Sequence, residues 1–152
     1  MPRTARYAPG GYVYHVLNRG VGQQQLFFND DDYLAFEHIV VETLEKRDMR
    51  ILSYCLMPSH WHFMLWPEND GDLGSFMQRL TITHVTRWQR NYHTVGYGHT
   101  YQGRFKSFLV ETEAYFYTSH SVYGAKCTAR EFGYQGGRLA VGQSLDSTIW
   151  IG

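Results

Sequence analysis

The chain has 152 residues, 43% hydrophobic and 16% aromatic, which is enough apolar mass for one domain with a real core. Its 14 basic and 14 acidic side chains cancel to zero formal charge, so net charge selects neither a nucleic-acid nor a membrane partner. Cys55 and Cys127 are too few and too far apart for a disulfide framework or a zinc ribbon; no apolar run has membrane-spanning length and the N-terminus lacks a signal core, so a cytoplasmic chain is expected.

Gly11 to Asn18 is aromatic and β-branched between glycines and reads as a first strand. Asn29 then offers a helix N-cap, with Asp30, Asp31 and Asp32 in a negative first turn. Tyr33, Phe36, Val40 and Leu44 follow at helical spacing, with Glu42 and Lys46 placed as an i,i+4 surface pair and an end near Lys46-Arg47. Ile51 to Leu56 reads as a second strand, Met57-Pro58-Ser59 as a turn, and Trp61 to Trp66 as an antiparallel third strand. A second helix spans roughly Leu73 to Tyr92, with Leu73, Phe76, Met77, Leu80, His84 and Trp88 on one face. Gly103 to Val110 reads as a fourth strand. The order β-α-β-β-α-β predicts an α+β, ferredoxin-like domain, two helices on one face of an antiparallel sheet. Beyond Val110 the pattern weakens, and from Gly124 onward turns, a short hairpin or an irregular C-terminal tail are expected.

Charge is unevenly distributed. Between Leu73 and Val110 there is no Asp or Glu, but there are Arg79, Arg87, Arg90, Arg104 and Lys106; between Asp30 and Glu45 the balance reverses. One basic flank on a neutral protein can hold a phosphate backbone, although a solvated charged face has the same composition.

His60-Trp61-His62 carries the chemistry. Strand side chains alternate with period two, so His60 and His62 share a face while Trp61 turns to the other. Two neutral imidazoles on one face suit Mn²⁺, Mg²⁺ or Zn²⁺, and a His-hydrophobic-His strand is a pattern of metal-dependent nucleic-acid nicking. The pattern is short, and two satisfied strand histidines produce it equally well. Its context, directly after Met57-Pro58 and ahead of a basic, aromatic stretch, favours the site.

Leu56 to Leu65, LMPSHWHFML, resembles the "LMPNHVHLL" segment of the single-tyrosine HUH transposases, with Ser59 in place of Asn. Tyr14 to Gly20, Leu26 to Tyr33, Phe76-Met77-Gln78 and Tyr101 to Ser107 resemble further segments of that family in order, and the REP-associated branch is the most similar. The resemblance covers about residues 6 to 113. It implies a transposase that binds single-stranded, hairpin DNA and cuts it through a 5′-phosphotyrosine, with Mg²⁺ or Mn²⁺ held by His60 and His62. Arg79, Arg87, Arg90, Arg104 and Lys106 are then candidates for phosphates, and Tyr97, Tyr101 and Trp88 for base stacking, with packing at least as well suited to Trp88 and the choice open for Tyr97 and Tyr101. Insertion-sequence members pair as dimers and REP-associated ones can act alone, so a homodimer or a single copy is implied. Other readings are a hairpin-binding protein without a nucleophile, and an HUH replication initiator or relaxase.

Residues 1–118 carry the transposase-like domain, and 119–152 form an atypical tail within it. The resemblance places the nucleophilic tyrosine near position 122, where this chain has Val122 next to Tyr123. Tyr123 is therefore the candidate nucleophile, with Tyr115 and Tyr117 as alternatives that suit packing better. A displacement of one residue turns a helical side chain by about 100°. Residues 121–133 permit codons that, read one nucleotide later, encode RYTERSARRANL, similar to the family's "RYVERNPVRANLV". Continued through Leu145 the same frame allows VTKAADWRWGSR. A frameshift near residues 118–121 accounts for both.

Overall fold

The computed structural model describes residues 6–110 and the backbone of three short C-terminal strands. The elements are β1 (Tyr14–Arg19), a 3₁₀ turn (Val21–Gln23), α1 (Asp30–Lys46), β2 (Arg50–Met57), β3 (His60–Trp66), α2 (Asp72–Asn91), β4 (Lys106–Leu109), β5 (Thr128–Arg130), β6 (Phe132–Gln135) and β7 (Arg138–Val141). The antiparallel sheet runs β4-β1-β3-β2, the expected α+β, ferredoxin-like order.

Both helices begin as the sequence dictates. The Asn29 side chain accepts from the Asp32 amide at 3.0 Å, and three aspartates meet the positive end of α1. Gly71 caps α2 at φ +83°, a left-handed conformation that favours glycine, just after Pro67 closes β3. Phe36, Ile39 and Val40 of α1 and Phe76, Met77 and Leu80 of α2 bury one face of the sheet, meeting Tyr14, Val16, Leu56, Trp61, Phe63 and Leu65. The other face carries β3's alternate residues.

One expectation is corrected. Glu42 does not form the helical pair with Lys46; both carboxylate oxygens take Arg87 of α2, at 3.0 and 2.7 Å. The helix–helix approach puts a bidentate guanidinium within reach, and that geometry outcompetes a flexible lysine. In the C-terminal region the short hairpin is the expected form that is found, with β6 and β7 paired antiparallel, while β5 pairs with β2 at the edge of the sheet.

Candidate functional site

Trp61 and Phe63 both pack against Phe36 of α1 in tilted contacts, so alternation sends His60 and His62 to the face away from the helices. Their ring centroids lie 5.2 Å apart and nearly perpendicular. His60 is half-buried and His62 buried. Each ring has an Nδ1 partner. Ser59 Oγ lies 3.1 Å from His60 Nδ1, and His15 Nε2 lies 2.9 Å from His62 Nδ1.

Strand pairing explains the second contact. Leu17 of β1 faces His62 and His15 faces Met64, which makes His15 the diagonal neighbour of His62 on the same face. The two rings stack at 5.2 Å. Arg19, two residues further on, stands directly opposite His60. Burial, with Arg19 adding to it, lowers the His60 pKa, and burial together with His15 and His60 pushes His62 down to about 3. Both rings are therefore neutral at neutral pH, the form that can donate a lone pair to a metal.

The strand between the two histidines is anchored from behind. Trp61 Nε1 donates to the Tyr101 hydroxyl at 2.8 Å, and that oxygen lies 2.5 Å from His84 Nδ1. One hydroxyl thus ties β3, α2 and the loop before β4. Tyr101 is only 6% exposed, and its hydroxyl is taken up between Trp61 and His84, so its place in this structure is a packed one. The same loop is pinned to the Arg19 end of β1: the Gln102 amide donates to the Arg19 carbonyl at 2.9 Å, and Asn18 Nδ2 donates to the Gly103 carbonyl at 3.2 Å.

The predicted cations separate into several environments. Lys106 faces Leu17, which faces His62, so it lies in one cross-strand row with that histidine. Arg104 and Arg6 line a groove of about 790 Å³ between α2 and the loop, with Gln78, Gln89 and Gln102. Arg79 lies half-buried on α2 and outside that groove. Arg87 is held by Glu42, and Arg90 lines a different cavity beside Asp31 and Asp32. Tyr97 is 87% exposed, whereas Trp88 is partly buried with Nε1 bonded to the Leu26 carbonyl. Tyr115, Tyr117, Tyr123 and the position of the expected nucleophile lie outside the described residues.

Sequence reasoning overlooked the roles of His15 and Arg19. Their period-two spacing within β1 was visible, but only the register shows that they meet the histidines of β3.

The family model described as "Transposase IS200 like" matches residues 11–119. The chain belongs to the IS200-like transposase family. Membership makes it a DNA-binding protein of transposition, of a class that cleaves and transfers DNA strands. Two solved structures share the fold of this transposase. One is a REP-associated tyrosine transposase bound to a REP hairpin, with 22% identity and a TM-score of 0.56, covering 81% of this chain and 70% of that one. The other is a candidate transposase from Deinococcus radiodurans R1, with 12% identity and a TM-score of 0.56, covering 80% and 94%. No curated protein matches this transposase. Among its described residues no helix is long and apolar enough to cross a membrane.

Proposed function

We propose that this transposase binds single-stranded hairpin DNA and opens it by attack of a tyrosine hydroxyl on a phosphodiester held at the His60–His62 face. The observation that carries this reading is the pair of neutral imidazoles, 5.2 Å apart on one sheet face, within the family-matched part of the chain. A structural relative bound to a hairpin supports the choice of DNA.

The donor set fits a divalent cation. His60 and His62 are adjacent, desolvated nitrogen donors, and with both Nδ1 atoms in contact with a neighbour, Nε2 is the candidate ligand atom of each ring. Among the described residues no group of three or more His, Cys, Asp or Glu could hold a metal, which leaves further ligands to water, DNA or other parts of the chain. Bound Mg²⁺ or Mn²⁺ would supply Lewis-acid stabilisation of the charge that builds on the phosphate oxygens.

In the proposed step the tyrosine oxygen bonds to phosphorus as the bond from phosphorus to O3′ breaks. The phenolic proton leaves, the departing O3′ takes one up, and a 5′-phosphotyrosine remains beside a free 3′-OH. The new ester conserves the broken linkage, so reversal onto another strand needs no nucleotide cofactor. Arg19 beside His60 and Lys106 in the His62 row are placed to hold phosphates, and the groove with Arg6 and Arg104 to take the adjoining strand. Tyr123 is the proposed nucleophile.

Incubation with Mn²⁺ and labelled single-stranded hairpin DNA tests this reading. A covalent adduct is expected, lost in Tyr123→Phe and in His62→Ala. One observation favours a second reading: the family match ends at residue 119, before the expected nucleophile. A hairpin-binding protein without cleavage activity would give a shifted band and no adduct.

A further inference from the structure

We propose that His15 is a positioning residue for metal binding: its Nε2 accepts a hydrogen bond from His62 Nδ1 and so fixes His62 with Nε2 as the ligand atom. The inference rests on the metal reading above and adds a residue to it.

The argument begins with what a neutral imidazole allows. It carries one N–H and one lone pair, and a nitrogen that coordinates must be the one without the proton. At 2.9 Å, the His15 Nε2 to His62 Nδ1 contact needs one N–H and one lone pair between the two atoms. If His62 donates, its proton sits on Nδ1, its lone pair on Nε2, and His15 carries its own proton on Nδ1. The opposite assignment would put the proton of His62 on Nε2 and remove that atom as a ligand. Coordination through Nε2 and the observed contact are thus compatible with one direction only.

Two further observations support a built arrangement. The stacked contact orients the plane of His62, with ring centroids 5.2 Å apart and planes at 25°. His15 is itself buried, held in β1 opposite Met64 of β3 on one side and Phe108 of β4 on the other. Its ring is therefore fixed in place. Ser59 stands in the equivalent relation to His60 Nδ1 at 3.1 Å, so each imidazole of the pair has its own orienting neighbour. Losing such a neighbour typically costs about 10- to 100-fold in metal affinity.

Mn²⁺ affinity of the intact chain, measured by calorimetry without DNA, is the test. His15→Gln places an amide oxygen near the position of Nε2 and is expected to bind within about threefold of wild type. His15→Leu fills space without accepting and is expected to bind about 10-fold or more weakly. Nitrogen-15 NMR of the metal-free wild type is expected to find the His62 proton on Nδ1. The proposal is overturned by wild-type affinity in His15→Leu, by equal losses in both variants, which would make His15 a ligand, or by a proton on His62 Nε2. The NMR result decides the matter even where a variant folds poorly. Failure of the metal reading looks different: the wild type would bind no Mn²⁺ and His60→Ala would change nothing.

Discussion

Trp61 and Tyr101 form a hydrogen bond of 2.8 Å directly behind the strand position that separates His60 from His62. Trp61 is fully buried, and its indole N–H has no access to water as an alternative acceptor. The bond therefore holds the strand that presents the histidines, and a change there tests whether Tyr101 serves the fold or the DNA.

Tyr101→Phe removes an oxygen that meets both Trp61 and His84, leaving buried polar atoms unpaired. A stability loss of about 1–3 kcal/mol is expected in chemical denaturation. Hairpin affinity per folded molecule should stay unchanged. A large loss of affinity at full stability would return Tyr101 to the base-stacking role.

His84 gives the fold a pH dependence. Burial holds its pKa down to about 4, against a smaller opposing pull from Asp32. In the unfolded chain the value is about 6.5. The unfolded chain therefore takes up a proton that the folded one refuses, and stability falls as pH drops from about 6.5 toward 4. Complete loss of this contribution amounts to about 3 kcal/mol. Denaturation midpoints across that window should decline in the wild type and less steeply in His84→Gln. A flat wild-type profile would show that the folded protein admits the proton.

Arg87 and Arg104 are expected to behave differently toward DNA. Arg87 is bonded to Glu42 on an exposed surface, where such a pair contributes about 0.2–1 kcal/mol, so Arg87→Ala should affect stability slightly and hairpin affinity little. Arg104 lines the groove beside the loop. Arg104→Ala should weaken binding and reduce the slope of log affinity against log salt by about 1. Equal effects of the two substitutions would show that the groove is not where the strand lies.

The tail makes a genetic prediction. The coding DNA over residues 121–145, read one nucleotide later, is expected to contain RYTERSARRANL and then VTKAADWRWGSR. A chain expressed in that restored frame should form more covalent adduct on hairpin DNA. Any other string in the shifted frame removes the explanation.

Much of the fold was legible because its signals are local. The Asn29 cap, the apolar spacing of both helices and the alternation around Trp61 each depend on residues within a few positions, and each element formed close to its predicted bounds. The shared face of His60 and His62 follows from the same period of two. The sequence alone thus determined an α+β chain of the IS200-like transposase kind with two histidines on one strand face.

Tertiary structure decided which side chains those histidines meet. His15 lies 47 residues from His62 in the chain, and only the β1–β3 register makes them diagonal neighbours. Spacing left Tyr101 open between stacking on a base and packing in the fold, and long-range contacts buried it against Trp61 and His84. Arg87 looked like a free phosphate ligand until the approach of α1 and α2 gave it Glu42. Composition and spacing report the periodicity of single elements. The paired imidazoles, the buried hydroxyl and the occupied guanidinium depend on contacts between elements, because hydrogen bonds and desolvation act through space.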